Sequence, residues 1–209
     1  MPNHIINRVH VREAREADMK KIKLVMKTKE SEFDFNALAP MPKELKHVTS
    51  PVRIITEKEY KKQIDEMPSE AEIDKSYWGH GLTLGMSKRY KKLFGADNWY
   101  DWHVMNWGTK WNAYDIDWQG NVIEFQTAWS TPEPIIHKLS KRFPEFEIYV
   151  EYADEDIGSN CGTYSYKGGE LLEEETEGEE FACELWGNDY EEWKKERDGD
   201  NNEEIATLV

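Results

Sequence analysis

Polar and apolar residues alternate imperfectly from His4 through Ile5, Ile6, Asn7, Arg8, Val9 and His10 to Val11, and the β-branched content makes this stretch a strand. The period then lengthens. Between Glu13 and Lys27, Met19, Ile22, Val25 and Met26 recur at spacings of three and four, the stripe of a helix that packs on a core. Phe33 to Leu38 reads as a short strand closed by Pro40-Met41-Pro42, since proline has no N–H for a ladder and restricts the residue before it. Residues 42–51 read as a loop with one helical turn. Thr56 is placed to cap a charged helix running through Tyr60 and Ile64 to Met67-Pro68, a surface insertion.

Residues 77–129 hold seven of the nine tryptophans. Gly79, Gly81 and Gly85 precede a helix predicted over Met86 to Phe94, with Gly95 as its C-cap. Asp97 is the expected cap of the next helix, which ends near Asn106 and carries Trp99, Trp102 and His103 on one face. From Trp111 the period is two: Tyr114, Ile116 and Trp118 alternate with acids, Gln119-Gly120-Asn121 turns the chain, and Ile123, Phe125, Thr127 and Trp129 alternate with Glu124 and Gln126. That is a β-hairpin. Ser130, with Pro132 and Glu133 behind it, is the expected cap of a helix that buries Ile135, Ile136, Leu139 and Phe143.

Phe146, Ile148, Val150 and Tyr152 mark another strand, and Cys161 to Tyr166 a return strand that turns at Gly168-Gly169 into Leu171-Leu172. Glu173 to Glu180 reads as a solvated loop and Phe181 to Arg197 as the last helix. The whole is an α+β fold: an antiparallel sheet with helices packed on one face and ferredoxin-like topology in the C-terminal half. Three parts are expected. Residues 1–110 form a strand-helix unit with a helical insertion, residues 111–197 a ββαββα ferredoxin-like unit packed against it, and residues 198–209 a flexible acidic tail.

Composition narrows the function. A chain of 209 residues buries roughly 70% of its unfolded surface and needs no staples. Its two cysteines, Cys161 and Cys183, and the absence of an apolar leader point to a reduced cytoplasmic setting, and no apolar run approaches the roughly 20 residues that span a bilayer. The net charge of −15 opposes binding to nucleic-acid backbone, which needs Lys and Arg to displace counterions. That charge is one-sided. From Glu145 onward there are 22 acids against 4 bases; the first 144 residues carry 20 acids and 23 bases.

Motifs for chemistry are weak. Asp154-Glu155-Asp156 with Gly158 has the glycine at the wrong offset for a calcium loop, and Ser165 stands where the closing acid belongs. Asp115 and Asp117 share a strand face but read more simply as solvated acids. The six histidines lack metal-ligand spacing, and acids around Cys161 raise rather than lower a thiol pKa. No phosphate loop, nucleophile elbow or dinucleotide fingerprint occurs. No metal, cofactor or enzymatic activity is therefore expected, and an enzyme built from scattered Asp and His is the third choice.

Two features remain. The tryptophan belt, with Trp107, Lys110 and Trp111 at its centre, could stack single-stranded bases, although rings at these periods are more simply core. The acidic last third is the favoured site. Glu147, Glu151, Asp154, Glu155, Asp156, Glu173, Glu174 and Glu175 could imitate phosphates and occupy a basic groove on a host protein, against the plainer alternative of a solubilising surface.

The chain resembles the YubB-type family of phage and plasmid proteins. The resemblance rests on Met1-Pro2-Asn3-His4, Phe35-Asn36 before Pro40-Met41-Pro42, Trp107-Gly108-Thr109-Lys110-Trp111-Asn112, Thr127-Ala128-Trp129-Ser130 with Pro132, and the Tyr152 to Gly162 stretch. It implies a mobile-element origin and a ferredoxin-like domain, and supplies no catalytic residue. Small acidic phage proteins often disable host machinery, including nucleic-acid-handling defence complexes, so the expectation is a non-enzymatic inhibitor of such a protein, an anti-CRISPR among the candidates.

Overall fold

A computed structural model describes residues 2–68 and 79–207. Strands β1 (His4–Val11), β2 (Tyr114–Gln119), β3 (Val122–Ala128), β4 (Glu147–Asp154), β5 (Gly162–Lys167) and β6 (Glu170–Thr176) make one antiparallel sheet in the order β2-β3-β1-β4-β5-β6. Helices α1 (Glu16–Met26), α2 (Glu57–Asp65), α3 (Leu84–Phe94), α4 (Trp99–Trp107), α5 (Glu133–Arg142), α6 (Glu179–Leu185) and α7 (Tyr190–Thr207) surround it.

The spatial order β2-β3-β1-β4, with α1 after β1 and α5 between β3 and β4, is the βαββαβ arrangement of a ferredoxin-like domain. The fold is α+β, as the periodicities indicate. Its sheet takes an inner strand from the far N-terminus: Val9 pairs with Ile123 on one side and Val150 on the other. The boundary drawn at residue 110 therefore separates β1 from strands bonded to it on both edges.

Alternation explains the main core. Val9, Val11, Ile123, Phe125, Ile148 and Val150 point to one face and are wholly buried against Ile22 of α1 and Ile135, Ile136 and Leu139 of α5. Each such side chain contributes roughly 1.5–3 kcal/mol of burial. The opposite parity gives a second face, where Ile6 and Ala153 meet Ala182 and Leu185 of α6 in a smaller cluster.

Several local expectations are corrected. Helix α1 begins at Glu16 rather than Glu13, because Glu13 is left-handed at φ 63° and Asp18 reaches back to the Arg15 backbone N–H. Phe33 to Leu38 is no strand. The Asp34 carboxylate accepts the Asn36 N–H at 2.9 Å and folds Phe35–Ala37 into a 3-10 turn, which buries both Phe33 and Phe35 against Phe125. The cap of α4 is Asn98, accepting the Asp101 N–H at 2.9 Å, while Asp97 is buried and accepts the Ser87 hydroxyl at 2.5 Å. Ser130 does not cap α5, whose N-cap is Pro132; its hydroxyl donates to the Gly108 carbonyl.

The largest correction is β6. Where a solvated loop was expected from Glu173 onward, the backbone pairs with β5 from Lys167↔Glu170 to Gly162↔Thr176. Gly168 and Gly169, at φ 60° and 89°, make the tight turn that commits the chain to this hairpin. Backbone pairing, not side-chain burial, holds the strand, since all seven residues are exposed. The single last helix is two: α6 stops before Gly187 at φ 75°, and the α7 backbone continues through residues 198–207.

Candidate functional site

The eight acids singled out in the C-terminal third do not form one surface. Cross-strand partners share a sheet face, so Glu151 (opposite Thr163), Glu175 (opposite Thr163) and Glu173 (opposite Ser165) lie on the second face, and Glu147 joins them by parity. Glu174, opposite Tyr164, lies on the other.

On the second face, β1 supplies the partners of these acids. Arg8 Nε donates to Glu124 at 3.0 Å, His10 Nε2 meets the Glu151 carboxylate at 2.8 Å, and Arg12 Nη1 donates to Glu147 at 2.5 Å. The Arg12 guanidinium also approaches Glu173 at 3.7 Å and lies 4.3 Å over the Tyr149 ring. Bases at positions 8, 10 and 12 were the signal for this ladder; it needed the knowledge that β1 sits beside β4.

Asp154, Glu155 and Asp156 close the end of β4. Asp154 is 6% exposed and accepts bonds from the Asn3 amide at 3.1 Å and the Asp156 N–H at 2.9 Å, so it shapes a turn rather than facing outward. Glu155 accepts the His4 N–H at 2.9 Å, and Asp156 accepts the Ser159 hydroxyl at 3.2 Å. Among the described residues no group of three His, Cys, Asp or Glu side chains is placed to hold a metal ion.

Bare acid is concentrated at β6 and beyond. Residues 170–198 hold 13 acids and 3 bases. Among the described residues Glu170, Glu174 and Glu175 make no ion pair, whereas Arg197 bonds Glu179 at 2.6 Å. Cys161 and Cys183 are free and buried beneath this region. Burial, then Glu177 and Asp154, push the Cys161 thiol up; burial does the same to Cys183, so neither is a ready nucleophile.

The tryptophan belt divides in the same way; Trp78 lies outside the described residues. Trp107 is 2% exposed, donates its indole N–H to the Ala39 carbonyl at 2.9 Å and stacks on His103 at 3.7 Å, and so offers no face to a base. Burial pushes His103 down to about 4, against the opposing bond to the Lys110 carbonyl. A carbonyl only accepts, so Nδ1 carries the proton and Nε2 has no partner among the described residues. Trp111 and Trp129 are open instead, at 38% and 44%, with the Lys110 ammonium 5.2 Å and 4.5 Å from their rings. Trp129, expected inside a strand, ends it at φ 73°, held by bonds to Asn3 and Asn160 and touching Tyr100. Alternation alone could not find that break.

Residues 106–202 match the family model described as the ferredoxin-like domain in Api92-like protein. The matched segment contains β2 to β6 but not β1, the strand that joins β3 to β4 in this chain. The crystal structure of a protein api92 from Yersinia pseudotuberculosis aligns with a TM-score of 0.44 and 12% identity over 85% of this chain and 99% of that one. Comparison with curated proteins gives no match. Among the described residues no helix is long and apolar enough to cross a membrane.

Proposed function

We propose that the chain is a non-enzymatic binding protein that presents the acidic surface of β6, α6 and α7 to a basic surface of a partner macromolecule, and that it acts as an inhibitor by standing in for nucleic acid. One observation carries this reading: Glu173, Glu174 and Glu175 lie on an exposed strand fixed by backbone pairing, so their charges are held in place rather than averaged over a loop. On the second face Glu173 and Glu175 stand two residues apart, roughly 6.8 Å, about twice the 3.4 Å axial spacing of phosphates along one DNA strand. The mobile-element origin implied by the YubB-type resemblance, and a host nucleic-acid-handling protein as partner, fit this role. The acids of β4 are support rather than contact, because Arg12 and His10 already engage Glu147 and Glu151.

The test is capture from host cytosol by the full chain, compared with E173Q/E174Q/E175Q. A basic nucleic-acid-binding protein that is released by duplex DNA and lost with the triple variant is the expected result. Equal capture by both chains, or no capture even at low salt, overturns the reading.

A second reading is favoured by Trp129 alone. An indole held exposed at a strained backbone position, beside Lys110 and Trp111, has the parts of a single-strand stacking platform. Fluorescence quenching by an oligonucleotide that fades with salt would support it over the acidic surface; no quenching would remove it.

A further inference from the structure

Strand β6 is the last of the sheet among the described residues, with β5 on one side. Alternate residues of an antiparallel edge strand turn N–H and C=O groups away from the sheet, ready to pair with another chain. Edges are commonly guarded by lysine, proline or a bulge. This one carries a bulge, since Ser165 faces Glu173 and Tyr166 faces Leu171 with Leu172 of β6 left between them, and its charges are all negative. Such an edge repels a second copy of itself and attracts a positively charged strand.

Apolar surface lies beside the charges. Leu171 and Leu172 are 48% and 52% exposed. A groove of about 470 Å3 runs between α5 and the sheet, lined by Pro134 and His137 from the helix, Tyr166 from β5 and Leu171 from β6. Cross-strand pairing fixes the sides. Leu171, opposite Tyr166, lies on the groove side, whereas Glu173 and Glu175, opposite Ser165 and Thr163, lie on the other. The groove side of the edge therefore carries Leu171 together with Glu174, opposite Tyr164, while the other side carries Glu173 and Glu175, with unpaired backbone between them.

We infer that β6 accepts an extended basic segment of a partner protein as a seventh strand. Side chains of one parity rest on Leu171 and enter the groove; lysines or arginines of the other parity meet Glu173 and Glu175. Main-chain bonds supply the pairing and the alternating pockets supply selectivity. The inference rests on the proposed acidic surface and narrows its partner to one with an accessible segment of alternating basic and apolar residues. A surface that served only to keep the edge soluble would show no preference for a peptide able to complete a ladder.

The experiment titrates the full isotope-labelled chain with a capped hexapeptide alternating lysine and valine, and with the same peptide N-methylated at every residue. Both carry the same charge and side chains, but the second cannot donate to the edge. The expected result is slowed hydrogen exchange at alternate β6 amides with the first peptide, and at least about tenfold weaker binding of the second. L171D should weaken the first peptide while sparing the fold, as Leu171 is half exposed. Equal binding of the two peptides without amide protection overturns edge docking yet leaves the acidic surface standing. No binding of either also overturns edge docking, and the triple-variant capture then decides separately whether the acidic surface falls with it.

Discussion

The tryptophan belt and the acidic edge are both dense in one kind of residue, yet the fold treats them oppositely. In the inner half of the belt it removes charge and water: Trp107 is buried and His103 lies against it, while the Lys110 ammonium sits over the two open rings. At β6 the fold leaves charge in water and, apart from Arg12 beside Glu173, supplies backbone pairing alone. Substitutions should therefore be felt as stability in the belt and as binding at the edge.

The strongest break in that contrast comes from Trp107→Ala. Loss of a buried indole, its bond to Ala39 and its stack on His103 should cost about 3–5 kcal/mol, read by denaturant unfolding. A cost below about 1 kcal/mol would mean the belt is not the packed region described.

His103 is the next largest effect. Its folded pKa of about 4 lies below the ordinary 6.5, so between these values the unfolded chain binds the extra proton. Stability from this group is full above about pH 6.5 and is lost as pH falls toward 4, by about 3 kcal/mol in all. His103→Gln keeps an amide donor for the Lys110 carbonyl and should flatten this part of the pH profile. An unchanged slope would assign the titration to other groups.

How much was legible follows the physics of each element. The β2–β3 hairpin, α5 and β4 were readable because one face of each packs on the core, and that packing writes a period into the sequence. β6 was hidden because none of its side chains is buried, so it has no apolar period, and only the Gly168-Gly169 turn marked it. The 3-10 turn at Phe35 was missed because a side-chain bond from Asp34 decided the backbone. At the candidate site, charge and exposure of Glu174 and Glu175 could be read directly. The pairing of Glu147 with Arg12 could not, since 135 residues separate them and only the strand order brings them together.

The smallest effects give the sharpest comparison, because they set paired acid against bare acid in one sheet. Arg12→Met leaves Glu147 and Glu173 without their shared cation beside Tyr149. Exposure of the pair limits the cost to about 1 kcal/mol, and salt should shrink it. E174Q/E175Q removes charges that hold nothing in the fold, so stability should change by less than about 0.5 kcal/mol, upward as like charges are relieved. Denaturation of both variants at low and high salt checks the ordering. If the double variant loses as much stability as Arg12→Met, the edge acids are structural, and bare charge is no longer a reason to assign them to a partner. If Arg12→Met is neutral while the double variant gains, the β1 bases are not needed to hold the fold, and the second face would have to be considered as a surface in its own right.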